Sequence, residues 1–157
     1  MLLNLIINGE KKKLDISPKD TLLDVLRREG YHEVKKGCGT GNCGTCTVIL
    51  DGAAVASCTK LAGLAEGKEV ITVAGIGNQS HPHPLQEAFV EEGAVQCGYC
   101  IPGMILSAKN LLDTNKDPSE DEIKEALDGN FCRCTGYVNQ IKAVKLAGRI
   151  MRGECRK

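Results

Sequence analysis

Residues 37–58 read GCGTGNCGTCTVILDGAAVASC, and their four cysteines, Cys38, Cys43, Cys46 and Cys58, stand as C-x4-C-x2-C-x11-C. The apolar stretch 46–50 is followed by Asp51-Gly52 and then by a second small apolar stretch reaching Cys58. Asp-Gly between two such runs predicts a two-residue hairpin turn. Folding about it places Leu50 opposite Ala53, and therefore Cys46 opposite Ser57, beside Cys58. A gap of eleven residues in the chain becomes adjacency in space.

A second group of four has a different spacing. Cys97 and Cys100 lie in AVQCGYCIPGM (94–104), and Cys132 and Cys134 in GNFCRCTGY (129–137). Four thiolates are what one [2Fe–2S] cluster requires, and the first spacing is the plant-type one. Such a cluster with its thiolates carries a charge of about −2, or about −3 when reduced. Buried charge of that size must be met by N–H donors. Gly37, Gly39, Gly41 and Gly44 around the first set allow the backbone to curl and aim amides at sulfur. In the second set each pair precedes a predicted helix, near Pro102 and near Tyr137, where free N–H groups and the helix dipole favour an anion. The CRC spacing turns Arg133 outward while its neighbours turn in.

Two bland readings stand beside this one. Structural zinc is disfavoured for the first set, which lacks paired C-x2-C knuckles, and on spacing alone stays open for the second. Disulfides require an oxidising compartment. The N-terminus has only a short apolar run before its first charges, without the features of a secretion signal, so a cytoplasmic chain with reduced thiols is expected. No stretch is long enough to span a bilayer. Cys155, the ninth cysteine, is expected to be a free surface thiol.

Composition narrows the rest. Apolar residues make up 42% of the 157, but aromatics only 3% with no Trp, so the core must be aliphatic and bound metal is expected to add stability. Twenty Lys and Arg balance twenty Asp and Glu; nothing advertises nucleic acid as a partner. No Ser–His–Asp set, paired carboxylates or phosphate-cradling loop is present, so no substrate chemistry is expected in this chain. His81 and His83 read as part of a stiff exposed connector, Lys11 to Lys13 as a solvated strand edge, and Tyr99 and Tyr137 as packing beside the second cysteine set.

Along the chain, the apolar run Leu2 to Ile7, Asn8-Gly9 and Lys11 to Ile16 predict a hairpin. Thr21 with Asp24 predicts a helix start, and Gly30 its end. The hairpin 46–58 and a strand at Val70 to Val73 complete the order of a β-grasp domain. Four helices follow: Leu85 to Glu92, one from Pro102, one capped by Asp117-Pro118-Ser119-Glu120 and closed by Gly129, and one over Tyr137 to Met151. The expected architecture is α+β, with a β-grasp domain at 1–76, a linker at 77–84 and a four-helix domain at 85–157.

GCGTGNCGTCTV, Cys58, AVQCGYCIPGM and GNFCRCTGY, in that order, closely resemble the small iron–sulfur subunit of the molybdenum hydroxylases, the xanthine dehydrogenase and aldehyde oxidase family. The resemblance covers Leu2 to about Met151; Ile101, where many relatives have Thr, is a slight departure. It implies a ferredoxin-like β-grasp domain and a helical domain, each with one [2Fe–2S] cluster. It further implies that Gln96 and Cys134 approach a molybdopterin in a large subunit, and that the first cluster lies toward FAD in a medium subunit. Electrons would run from pterin through the helical cluster and the β-grasp cluster to FAD, in an enzyme hydroxylating an N-heterocycle of purine or nicotinate type, or an aldehyde. Molybdenum and flavin are then expected in partner chains. A freestanding two-cluster carrier is the alternative, and a zinc scaffold a third reading.

Overall fold

A computed structural model describes residues 1–154; Cys155 lies outside them. The N-terminal half is a five-stranded mixed sheet in the order β2-β1-β5-β3-β4, built from β1 (Leu2–Ile7), β2 (Glu10–Asp15), β3 (Thr47–Leu50), β4 (Ala53–Ala56) and β5 (Glu69–Ile71). Strand β1 runs antiparallel to β2 and parallel to β5, while β3 is antiparallel to both β4 and β5. Helix α1 (Leu22–Arg28) lies over this sheet and buries Leu22, Leu23, Val25 and Leu26 against Leu3, Leu5, Ile7, Val48 and Val70. This is the β-grasp arrangement the element order predicts.

Turn chemistry explains why these strands pair as they do. Asn8 and Gly9 have φ of 50° and 82°, Asp51 and Gly52 of 47° and 80°. Both pairs therefore adopt the primed turn whose twist matches two adjoining strands. Each first turn residue also ties in the neighbouring strand: Asn8 Oδ1 accepts from Thr72 N at 2.8 Å and Asp51 Oδ1 from Glu69 N at 2.9 Å. The lysine-rich β2 is an edge strand.

The C-terminal half holds four helices, α2 (Pro84–Glu91), α3 (Ile101–Thr114), α4 (Glu120–Leu127) and α5 (Val138–Met151). Phe89, Met104, Leu112, Ile123, Val144 and Ala147 are central to a second aliphatic core. Three details differ from the sequence expectation. Helix α4 is capped by Ser119, not Asp117: Ser119 Oγ accepts from Glu122 N at 3.2 Å and the Glu122 carboxylate accepts from Ser119 N at 2.7 Å. Pro118 thus stands outside the helix, and Asp117 pairs with Arg152 instead. The last strand ends at Ile71 and Val73–Gly75 is a short 3₁₀ turn. His83 is half-buried and caps α2 by accepting from Leu85 N at 3.2 Å, rather than standing in an exposed connector.

The two halves are joined at close range. Strand β3 packs against α3, which explains why Thr47, Val48 and Ile49 are all buried. Asn130 Nδ2 donates to Gly44 O at 3.1 Å, Asn110 Nδ2 to Gly52 O at 2.8 Å, and Tyr99 Oη to Lys36 O at 2.6 Å. A Cβ added at Gly103 would sit 2.0 Å from Gly44 O, whereas one at Gly129 would meet nothing within 4 Å. Gly103→Ala is therefore expected to cost about 1–3 kcal/mol by overpacking, while Gly129→Ala stays within about 0.5 kcal/mol. Thermal unfolding of the two variants side by side measures the difference.

Candidate metal centres

The first cysteine loop, residues 37–46, has no regular secondary structure. Its shape is set instead by hydrogen bonds onto sulfur. Cys38 Sγ receives the amides of Thr40 at 3.4 Å and Asn42 at 3.3 Å, and Cys43 Sγ receives the amide of Cys38 at 3.3 Å. The Thr40 hydroxyl, followed by the amides of Thr40 and Cys43, pulls the Cys38 thiol down to about 5. These donors are what an anionic cluster needs, and they are in place. Gly37 shows how tight the cradle is: a Cβ there would lie 2.7 Å from Cys43 Sγ.

Cys46 and Cys58 lie deeper, both buried. The pairing Thr47↔Ala56 continues one step, with Ser57 N and Ser57 Oγ both donating to Cys46 O, at 3.3 and 2.7 Å. The hairpin thus brings Cys58 beside Cys46, as its register predicts. Burial first, then the Cys46 thiol, push Cys58 up to about 11. The first set therefore comprises an outer pair, Cys38 and Cys43, and an inner pair, Cys46 and Cys58.

The second set divides the same way. Cys97 and Cys134 are exposed, with their sulfurs 3.7 Å apart. Cys100 is buried at the N-cap of α3 and is pushed up to about 12 by burial, then by Cys132. Cys132 goes down: burial opposes, but the Thr135 hydroxyl and the amides of Cys134 and Thr135 outweigh it. Arg133 is exposed, as the CRC spacing requires.

A [2Fe–2S] cluster takes two thiolates on each iron, so two pairs, not one knot of four, are the arrangement that fits it. Among the described residues no three Cys, His, Asp or Glu side chains converge on a single-ion site. His81 and His83 join neither set.

Several residues that matter here gave little sign of it in the sequence. Tyr137, expected to pack only, accepts the amide of Cys132 on its hydroxyl at 2.8 Å while its own backbone sits at φ 69°. That conformation costs a residue with a side chain about 1 kcal/mol or more, and it aims the ring back under the CRC turn. Tyr99, likewise expected to pack only, donates across to the first cysteine loop's flank. Thr40 and Thr135 place hydroxyls beside Cys38 and Cys132, a signal the spacing of cysteines alone does not carry. Asn130 and Gly103 act on residues more than fifty positions away.

Comparison with known proteins agrees with this geometry. Residues 5–72 match the 2Fe-2S iron-sulfur cluster binding domain, and residues 72–145 the [2Fe-2S] binding domain. The nicotinate dehydrogenase small FeS subunit of Eubacterium barkeri is 50% identical over 146 residues, spanning 92% of this chain and 93% of the relative. The chain belongs to the family of small iron–sulfur subunits of molybdenum hydroxylases. Within that family, quinoline 2-oxidoreductase from Pseudomonas putida contains a chain that superposes with a TM-score of 0.91 at 40% identity, covering 99% of this chain and 98% of that one. The aldehyde oxidoreductase of Desulfovibrio desulfuricans superposes at 0.94 with 47% identity over 98% of this chain. The chain spans 17% of that much longer polypeptide. This is thus an electron-transfer subunit of an oxidoreductase with two distinct [2Fe–2S] binding domains, and it works with larger subunits. Among the described residues no helix is long and apolar enough to cross a membrane.

If the two sets are independent, Cys134→Ser should lower bound iron from about four to about two per chain. It should abolish one of two rhombic EPR signals and leave the other. Cys43→Ser should remove the complementary signal. Iron assay and EPR of the dithionite-reduced variants check both.

Proposed function

We propose that Cys38, Cys43, Cys46 and Cys58 hold one [2Fe–2S] cluster and Cys97, Cys100, Cys132 and Cys134 the other. In this reading the subunit conducts single electrons from a molybdopterin in a large subunit, through the helical cluster and then the β-grasp cluster, to FAD in a medium subunit. The β-grasp unit spans residues 1–76 and the helical unit 85–157, joined by 77–84. The clusters supply reversible one-electron redox chemistry; everything else is the work of this chain's residues.

One observation supports direct transfer between the two clusters. Phe131 N donates to Cys43 O at 3.0 Å. Phe131 adjoins Cys132, so a single hydrogen bond and a few covalent bonds connect a ligand of each set. Gly44, Gly103 and Asn130 hold the two loops at that separation. The entry side is supported by exposure: Cys97 and Cys134 face outward, next to exposed Val95 and Gln96. Phe131 and Val138, exposed by 59% each, line a groove of about 550 Å³ beside the same loop. Gln96 and Cys134 then meet the pterin within an apolar docking face.

The large subunit would set the substrate, an N-heterocycle or an aldehyde, as the names of the relatives suggest. Reduced thiols fit a cytoplasmic assembly. The other candidate, a freestanding carrier, is disfavoured by balanced charge and by this apolar rim, since a transient docking surface depends on charge to steer encounter.

Purification of the native protein under mild conditions tests the reading. It should bring down two larger chains with molybdenum and flavin, and added substrate should reduce both EPR signals in that complex. Recovery of the chain alone, with its clusters intact and unreduced by any such complex, would return it to the class of free carriers.

A further inference from the structure

Beneath the second cysteine set a line of hydrogen bonds runs from the helical core to one sulfur. Gln140, on the first turn of α5, is fully buried. Its Nε2 donates to Ala94 O at 3.1 Å and to Thr135 Oγ1. A backbone carbonyl has no proton to give, so the nitrogen of the carboxamide, not its oxygen, must face Ala94. With one amide hydrogen on Ala94 O, the other points at Thr135 Oγ1. The Tyr137 amide approaches that same hydroxyl oxygen at 3.5 Å. Accepting on this side, Thr135 has its single proton left for Cys132 Sγ, 3.1 Å away.

The amide is not there for packing. Gln140 Oε1 is buried and has no hydrogen-bond partner among the described residues. A buried acceptor left unsatisfied costs about 1–3 kcal/mol. Leucine at 140 would fill the core without that cost, so the contribution of glutamine lies in what its N–H groups hold in place.

We propose that Gln140 is a positioning residue for the helical-domain cluster: it locks the Thr135 hydroxyl into donating to Cys132 Sγ and thereby raises that cluster's reduction potential. The inference rests on Cys132 being an iron ligand. Reduction adds one negative charge to the cluster, much of it shared by the thiolate sulfurs, so a donor on sulfur stabilises the reduced form more than the oxidised one. Without the amide, the hydroxyl is free to rotate toward a carbonyl. The donation to sulfur is then only one of its options.

An EPR-monitored redox titration of the full iron-loaded chain tests this, with the β-grasp cluster as internal reference. Thr135→Val should lower the potential of the helical cluster and leave the other unmoved. Gln140→Leu should also lower it, by a smaller shift, and should add nothing in the Thr135→Val background. Thr135→Ser, which keeps the hydroxyl, should stay near the unsubstituted value. Should Gln140→Leu load its cluster poorly, Gln140→Met fills the site with an unbranched side chain and is read the same way. An unchanged potential in Thr135→Val overturns the proposal, as does an equal shift from Gln140→Leu with and without Thr135. Failure of the unsubstituted chain to show two EPR signals would instead sink the ligand assignment itself.

Discussion

At Gly44 the first cysteine loop touches the helical half backbone to backbone, and there is no room for a side chain between them. Gly44 O faces Gly103 on one side and receives the Asn130 amide on the other. Neither cysteine loop has helix or strand within it to hold its shape, so each is braced by the other's support. A sheet with a helix on one face ordinarily leaves its other face to solvent. Here α3 takes that place behind β3, and the two aliphatic cores become a single scaffold around two loops.

That bracing makes the electrostatics possible. Thiolates gathered around iron are tolerable in a protein only where donors already point at sulfur, because reorganising them at each electron transfer would add to the barrier. The first loop supplies backbone amides, made available by its glycine-rich course. The second supplies a helix N-terminus at Cys100 and the hydroxyl of Thr135 beside Cys132 Sγ. In both sets one pair of sulfurs is sunk and the other faces outward, so each cluster would have an insulated side and an accessible one. The outward side of the second set lies by the exposed apolar residues Val95 and Phe131, and the outer pair of the first set is linked to the second loop through Cys43 and Phe131.

The fold thereby suits an electron-transfer subunit. A wire needs fixed separations between its relay points, low rearrangement on reduction and defined contacts at each end. Two domains packed directly on each other meet the first need better than two domains on a flexible tether. The likeness to much longer aldehyde oxidoreductase polypeptides and to separate small subunits shows the same unit used in both settings. Its function is carried by geometry that survives either arrangement.

Much of this was legible in the residues because the forces concerned act between near neighbours. Asn8-Gly9 and Asp51-Gly52 reach positive φ together, which sets strand register within a few bonds and so puts Cys58 beside Cys46. The cysteine spacings and the Thr21–Asp24 cap are local in the same sense. Local rules also show where their reach ends. Asp117 and Ser119 both satisfy the pattern of a helix start; Ser119 takes the cap through its reciprocal bonds with Glu122, and Asp117 pairs with Arg152 at the end of α5. The hydroxyl of Tyr137, the span from Tyr99 to Lys36, the Asn130 bond to Gly44 and the buried amide of Gln140 have no signature in spacing or periodicity. Their partners are chosen by how two cores pack, a matter of shape and volume over tens of residues that no short pattern encodes. Which cysteines gather into two sets was therefore written in the chain, whereas how the two sets face each other and which hydroxyls and amides surround them was decided by the tertiary structure, through packing between distant segments.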